Sequence, residues 1–175
     1  SAQPGLHAIS GDGLTVITGT CIYPSTNGIG MVRVFKYTSG DWTQLGSQID
    51  GEVDGEEFGS AVSISDDGFT IAIGAWKKTT ALGWGTGYVK VYRYVSGDWV
   101  QLGQGLFGQN VSENFGRKTS LSNDGSIVAI SGGNIARVFN YSSGNWTQIG
   151  NDIPNISCNP YNNYVSLNLC LSSNG

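Results

Sequence analysis

The sequence predicts an all-β protein, specifically a partial β-propeller with about three four-stranded antiparallel blades and the first strand of a fourth. One observation is a hairpin phrase, Ser-Gly-Asp/Asn-Trp, at Ser39–Trp42, Ser96–Trp99 and Ser143–Trp146. Another is a turn phrase of the type Ile-Ser-Asp-Asp-Gly ahead of each hairpin. Repeats of roughly fifty residues are typical of propellers, solenoids and tandem arrays. The turn phrase occurs at Ile9–Gly13, Ile64–Gly68, Leu121–Gly125 and Leu171–Gly175.

The second repeat shows its four strands most clearly. Alternating apolar residues and intervening turns predict strands at Ala61–Ser65, Thr70–Ala75, Tyr88–Tyr94 and Trp99–Leu102. The Ser-Gly turn should bring Tyr94 beside Trp99, as a cross-strand aromatic pair. The same slots are filled by Thr15–Thr18, Met31–Tyr37 and Trp42–Leu45 in the first repeat, and by Ile127–Ser131, Ile135–Tyr141 and Trp146–Ile149 in the third. The repeats therefore cover about residues 1–57, 58–114 and 115–163, with a further one starting at 164–175.

The third strand of each repeat favours a propeller over an isolated sheet. Val89 and Val91 lie on one face of this strand, and Tyr88 and Tyr92 lie on the other. A sheet that is apolar on both faces must be covered on both, and blades packed around an axis provide that cover.

Phe58–Ala75, which reads F-G-S-A-V-S-I-S-D-D-G-F-T-I-A-I-G-A, resembles the FG-GAP repeats of integrin α-chain propellers. It is still more similar to the related repeats of secreted microbial and algal proteins. The third repeat keeps Phe115-Gly116 but has Ser131-Gly132 in place of Gly-Ala, and the first repeat lacks Phe-Gly. The resemblance implies the fold but no particular function. The family's calcium loop is absent, because an Asp-Asp-Gly or Asn-Asp-Gly slot is too short to supply the six to eight oxygens that Ca²⁺ takes.

Glycosylation sequons predict an extracellular protein, either secreted or at the cell surface. Asn140 and Asn145 stand where the earlier repeats have charged residues, so the third hairpin exchanges charges for glycan acceptors. The alternative is a chance occurrence in a chain rich in Asn and Ser. The four sequons begin at Asn110, Asn140, Asn145 and Asn155.

The three cysteines fit an oxidising compartment only in part. A disulfide between Cys158 and Cys170 would pin the segment before the fourth repeat. Cys21 is then left over, either paired with another chain or buried and free.

The charges exclude some classes of function. Asp and Glu number 13 against 9 Lys and Arg, without a basic cluster, which argues against a nucleic-acid surface. No run approaches the roughly 20 apolar residues of a membrane span. His7 is the only histidine, and it has no identifiable catalytic partners, so we predict no catalytic residues.

Two segments are candidates for ligand contact. The loop Trp76–Thr86 carries Trp76 and Trp84, which either bind a glycan or protein or cap the core of their own repeat. The acidic connection Asp50–Glu57 is either a solvated loop or a weak contact with calcium or a cationic polymer, and no other cofactor is predicted. The matching stretch, Phe107–Asn114, keeps only Glu113, which argues that the acids are not required by the blade. The weak metal candidates are Asp50, Glu52, Asp54, Glu56 and Glu57. Arg33, Lys90 and Arg137 share one slot, and they either form inter-blade ion pairs or reach solvent past apolar neighbours.

These observations favour an extracellular, non-catalytic structural or adhesive module that assembles within a larger chain or filament. Its expected partners are other copies, or the remainder of a longer chain, through the blade edges. The alternative is a propeller module that binds glycan or protein through Trp76–Thr86 and Asp50–Glu57. A propeller hydrolase is the least favoured class, because no repeat supplies converging carboxylates.

Overall fold

The part of the chain that the structure describes is all β, as the sequence predicts, and its strands form three antiparallel sheets. The computed structural model describes residues 6–20, 29–154 and 170–172, which contain strands and turns but no helix. Predictions that concern Cys21, Cys158 and Asn155 lie outside these residues.

The first sheet has the order β1-β2-β3-β4, and β5 also pairs with β3. Its strands follow one another through hairpins, as the alternating pattern predicts. The strands are β1 His7–Ile9, β2 Thr15–Thr20, β3 Met31–Thr38, β4 Asp41–Gln44 and β5 Ile49–Asp50.

The second and third sheets repeat this order. In the second sheet β6, β7 and β8 pair consecutively, and both β9 and β10 pair with β8. In the third sheet a single long strand replaces the two short outer ones. The strands are β6 Ala61–Ile64, β7 Thr70–Ala75, β8 Tyr88–Val95, β9 Asp98–Gln101, β10 Leu106–Phe107, β11 Lys118–Leu121, β12 Ile127–Ser131, β13 Ile135–Ser142 and β14 Asn145–Pro154.

The three sheets stack in chain order, with their first strands side by side. The turns after β1 and β6 each form a hydrogen bond to the next sheet. Gly11 donates its N–H to the carbonyl of Asp66, and Asp66 donates its N–H to the carbonyl of Asn123. One apolar core lies between the first and second sheets and another between the second and third. The middle sheet is therefore buried on both faces, as the apolar third strand predicts.

The Phe-Gly pair before the first strand of a repeat has a packing reason. Phe115 is fully buried, and Gly116 has a φ of +94°. A Cβ at Gly116 would lie 2.4 Å from the carbonyl oxygen of Tyr88, so only glycine fits against the neighbouring sheet. This contact explains why the phrase occurs where two sheets approach each other.

The hairpin phrase forms a two-residue turn with positive φ at both central positions. In the second sheet Ser96 has a φ of +53° and Gly97 a φ of +99°. The turn brings Tyr94 and Trp99 together with ring centroids 5.3 Å apart, as predicted. This turn type matches the twist of the flanking strands, and it needs positive φ at both central residues. Glycine and small polar residues adopt such φ values most easily.

Candidate functional site

A loop of the second sheet meets the connection between the first and second sheets. The loop between β7 and β8 is long, and the connection from β5 to β6 runs beside it. Lys77 in the loop donates its N–H to the carbonyl of Glu56 in the connection, at 3.2 Å. The structure thus brings together the two segments that the sequence singled out, the Trp76–Thr86 loop and the acidic stretch.

Their charged side chains interleave in what we call the carboxylate–lysine cluster, made of Glu52, Glu56, Glu57, Lys77, Lys78 and Lys90. The ammonium of Lys78 donates to Glu52 Oε2 and to Glu56 Oε2, both at 2.9 Å. Lys77 bonds to Glu57, and Lys90 to Glu52. Three carboxylates and three ammonium groups therefore fix one another in place.

Glu56 holds the connection in shape from a buried position. It is 2 % exposed, and its Oε1 accepts the N–H of Glu52 at 2.7 Å and the hydroxyl of Tyr88 at 3.0 Å. Its counterpart Glu113 is also buried and accepts the N–H groups of Gln109 and Asn110, each at 3.0 Å. The prediction that the blade does not require these acids is therefore wrong for this one slot. The alignment of Glu56 with Glu113 was the signal that could have revealed it.

The cluster shifts the pKa values of two of its members and of the nearby Tyr92. Hydrogen bonds from Lys90 and then Lys78 lower the pKa of Glu52 to about 2. Burial alone would lower the pKa of Lys78, but its bonds to Glu52 and Glu56 outweigh burial and raise it. Burial, with the nearby Glu52 and Glu56 charges, raises the pKa of Tyr92 to about 12. The lysine and the glutamate therefore stay charged at neutral pH, and Glu52 is a weak base.

A shallow cavity of about 250 Å³ opens above this cluster. Trp84, which is 57 % exposed, lines one side of the cavity. Asp54, in the connection from β5 to β6, also lines it. Trp76 is half-buried, with Lys77 Nζ 4.8 Å and the Arg117 guanidinium 4.2 Å from its ring centroid. Trp84 is therefore the open aromatic surface, and Trp76 is engaged by two cations. The cavity is lined by Val53, Asp54, Gly55, Glu56, Lys77, Lys78, Thr79 and Trp84.

The shared basic slot forms different pairs in the three sheets. Arg137 is 1 % exposed and donates to Glu113 at 2.6 Å and to Asp152 at 2.8 Å. Lys90 bonds to Glu52, whereas the exposed Arg33 bonds to Gln48, at 2.7 Å. Lys90 and Arg137 thus form ion pairs with Glu52 and Glu113 of the preceding connections, and Arg137 also pairs with Asp152 of its own sheet.

Calcium is not favoured by the way the acids are arranged. Glu52, Glu56 and Glu57 contact lysines, and Asp50 accepts a bond from Gln48 at 2.5 Å. In the described part of the chain, no group of three or more His, Cys, Asp and Glu side chains could hold a metal ion. A weak calcium contact stays a prediction.

The remaining sequence candidates lie apart from the cluster. Asn110 and Asn145 are exposed and Asn140 is half-buried. Cys170 is an exposed free thiol, so its predicted bond to Cys158 has no support. His7 is exposed on β1, in the slot of Val62. The described residues include no helix long and apolar enough to cross a membrane.

Solved structures share this fold at low sequence identity. A "putative 6-phosphogluconolactonase" of Bacteroides fragilis superposes with a TM-score of 0.60 and 16% identity, over 86% of this chain and 38% of that one. A protein of Bacteroides uniformis with the same name gives 0.58 and 15%, over 85% of this chain and 40% of that one. The chain thus spans about two fifths of the length of these structures. No family model and no curated protein matches the sequence.

These neighbours correct the predicted function. The sequence predicts a non-catalytic structural or adhesive module and makes a propeller hydrolase the least favoured class. That expectation is wrong, because the solved structures that share the fold are named as enzymes.

Proposed function

We propose that the three sheets are consecutive blades of a β-propeller and that the cavity above the carboxylate–lysine cluster hydrolyses a sugar lactone. The blade assignment is supported by adjacent first strands and by two apolar cores between successive sheets. The reaction class is suggested by the fold neighbours named as 6-phosphogluconolactonases. The observation that carries the site is a pair of anchored lysines, Lys77 and Lys78, beside the exposed Trp84.

Each group has a role that its surroundings favour. The reaction adds the oxygen of water to the lactone carbonyl carbon, breaks the ring C–O bond and delivers a proton to the ring oxygen. Glu57 and Glu56 anchor the ammonium groups of Lys77 and Lys78 where they can stabilise the negative oxygen of the tetrahedral intermediate. The exposed Asp54 lines the same cavity and is our candidate for the base that takes the proton of water.

The apolar face of a sugar ring would stack on Trp84. Tryptophan offers a large flat surface with a polar N–H, which suits a ligand that is apolar on one side and hydroxylated on the other. A phosphate on the sugar would be attracted by the same lysines. The low pKa of Glu52 excludes it as the base, so its part is to hold Lys78 and Lys90.

Proton release during hydrolysis of gluconolactone and its 6-phosphate tests this function. We expect the protein to accelerate hydrolysis above the buffer rate, and the Asp54→Asn variant to lose about 10²–10⁴-fold in kcat. Lys77→Met should lose about 10²-fold, because one stabilising charge at the oxyanion is removed.

Lys36→Met is the matched control for Lys77→Met. Lys36 Nζ lies 4.7 Å from the ring centroid of Phe69, much as Lys77 lies over Trp76, but it is outside the cavity. Its activity should equal that of the unaltered protein. Hydrolysis at the buffer rate by the unaltered protein, or equal rates for all three variants, would refute the proposed activity.

Secretion is a separate proposal that rests on the sequons. Asn145 is exposed at the tip of the third hairpin, and Asn110 is exposed in the connection from β10 to β11. We propose that the native protein is N-glycosylated at these positions, as FG-GAP-like repeats of secreted proteins would allow. Peptide mass spectrometry of native material that finds both asparagines unmodified would remove this support.

A further inference from the structure

The chain contains five Asp-Gly pairs, a dipeptide that can rearrange without an enzyme. The backbone nitrogen of the Gly forms a bond to the side-chain carboxyl carbon of the Asp, and the hydroxyl of that carboxyl leaves with the amide proton as water. A second water then opens the cyclic imide at the former main-chain carbonyl, which leaves an isoaspartate. Nothing is oxidised or reduced. The pairs begin at Asp12, Asp50, Asp54, Asp67 and Asp124.

Three of the pairs belong to the repeated turn, which occupies both reacting groups. In the second sheet Ser65 Oγ donates to Asp67 Oδ1 at 2.5 Å, and Gly68 donates its N–H to the carbonyl of Ser65 at 3.0 Å. The rearrangement therefore requires two hydrogen bonds to break first. The equivalent bonds, of 2.6 to 2.9 Å, hold Asp12-Gly13 and Asp124-Gly125.

Packing and charge add to this protection. A Cβ at Gly68 would lie 2.6 Å from Thr15 Oγ1, so the neighbouring sheet limits the movement of this backbone. The hydrogen bond from the Ser122 hydroxyl, followed by those from Ser126, lowers the pKa of Asp124. A lower pKa keeps this carboxyl in its ionised form, which cannot release a hydroxyl.

The pair Asp50-Gly51 is held by other partners. Gln48 Nε2 donates to Asp50 Oδ1 at 2.5 Å, and Gly51 donates its N–H to the carbonyl of Gly30 at 3.0 Å. A Cβ at Gly51 would lie 2.0 Å from the carbonyl oxygen of Ile29, so this backbone is also closely packed. Four of the five pairs thus have both reacting groups engaged.

The pair Asp54-Gly55 has none of these restraints. Both residues are exposed in the connection from β5 to β6, and among the described residues neither the Asp54 carboxylate nor the Gly55 N–H has a hydrogen-bond partner. A Cβ at Gly55 would meet nothing within 4 Å. The matching turn before the third sheet has Val111-Ser112, with a φ of +57° at Ser112 beside +77° at Gly55. The turn itself therefore does not require an Asp-Gly pair.

We propose that Asp54-Gly55 is a site of spontaneous isoaspartate formation in the folded protein, and that the fold protects the other four pairs. The contrast between one open pair and four bonded ones carries this inference. The change adds a methylene to the main chain and displaces the Asp54 carboxylate in the cavity above the carboxylate–lysine cluster. The modification does not depend on the proposed hydrolase activity. If Asp54 is the base of that reaction, activity falls as isoaspartate accumulates.

Ageing the folded full-length chain in water labelled with heavy oxygen tests the proposal, because each opening of the imide leaves one labelled oxygen in the peptide. Peptide mass spectrometry measures the label at every pair. We expect Asp54 to be labelled at least about tenfold faster than Asp67 or Asp124, since two hydrogen bonds must break at each of the latter. Equal labelling of all five pairs, or none at Asp54, would overturn the proposal.

The same chain unfolded in guanidinium chloride is the matched control. All five pairs should then be labelled at similar rates, because they share one dipeptide and no longer differ in structure. A rate at Asp54 that rises on unfolding as steeply as the rate at Asp67 would show that the fold protects both, contrary to the proposal.

A conservative variant separates the open turn from its chemistry. Gly55→Ser introduces the residue found in the matching turn, where Ser112 adopts the same positive φ, so the fold should be kept. Labelling at Asp54 should slow severalfold, because a side chain on the attacking residue crowds the imide ring. An unchanged rate would contradict attack by the Gly55 nitrogen. These measurements do not involve activity, so their failure is distinct from a failure of the proposed hydrolase function.

Discussion

The first hairpin and the two later hairpins have nearly the same sequence but different surroundings. The Tyr–Trp ring centroids are 5.4 Å apart for Tyr37–Trp42, 5.3 Å for Tyr94–Trp99 and 5.1 Å for Tyr141–Trp146. Yet exposure of the tryptophan falls from 44 % in the first to 9 % and 3 % in the others. The local phrase builds the same hairpin each time, and a neighbouring sheet decides whether its tryptophan is buried.

The comparison shows that one short phrase has two physical roles. Its Gly and the pair of aromatic rings lock the hairpin locally. Its indole N–H satisfies a carbonyl of the preceding sheet, and its ring fills space beside that sheet's glycine, Gly46 or Gly103. The local lock forms in all three sheets. The contact with a preceding sheet forms only in the second and third sheets, which have such a neighbour.

The largest expected effect is on the buried tryptophans. Trp99→Ala and Trp146→Ala should each lower the free energy of unfolding by about 3–5 kcal/mol, because they leave a cavity between two sheets. Trp42→Ala should cost less than about 1 kcal/mol in the monomer, since its ring is half in solvent. Urea denaturation at a concentration below any association measures the three differences. Equal losses in all three variants would break the comparison.

The basic slot gives the next largest contrast. Glu113→Ala should lower the free energy of unfolding by about 3–5 kcal/mol, because it leaves the buried Arg137 with its guanidinium only partly paired. Arg33→Ala should change it by no more than about 0.5 kcal/mol, since this side chain is exposed and bonds a neutral amide, that of Gln48.

Combining Glu113→Ala with Arg137→Met separates burial from pairing. Removing both charges replaces an ion pair with apolar groups, so much of the lost stability should return. A double variant no more stable than Glu113→Ala alone would contradict the view that an uncompensated charge is the cost.

The smallest effect is a pH dependence at the junction of the first two sheets. The pKa of Glu52 is about 2 in the folded protein, below its ordinary value of 4.5. Between these values the unfolded chain binds more protons, so stability rises with pH. The contribution of Glu52 should be complete above about pH 4.5 and disappear as pH falls toward 2.

Unfolding of the unaltered protein and of Glu52→Gln at several pH values measures this contribution. The difference in the free energy of unfolding between them should be greatest near neutral pH and shrink below pH 4.5. High salt should reduce it, because Glu52 is exposed to solvent. A difference that stays constant between pH 6 and pH 2.5 would contradict the ion-pair explanation.

Most strands could be predicted because they depend on local patterns. Thr70–Ala75 begins and ends where its apolar run does, and the hairpin turns lie at their Ser-Gly pairs. The short strands β5 and β10 were missed, because two residues carry no periodicity and pair with the third strand only through tertiary structure.

The candidate site was predictable only in pieces. The sequence marked Trp84 and the acidic connection separately, and it treated Lys77 and Lys78 as ordinary loop residues. Only the close approach of two loops, distant in sequence from each other, turned these residues into a network of ion pairs around one cavity.

The sequence by itself determined the strands, the tight turns and the repetition of one sheet, since these depend on alternation, on glycine and on neighbours a few residues apart. The tertiary structure decided which tryptophans are buried and which acids meet lysines. Both outcomes depend on contacts between sheets about fifty residues apart, and no local pattern specifies such contacts.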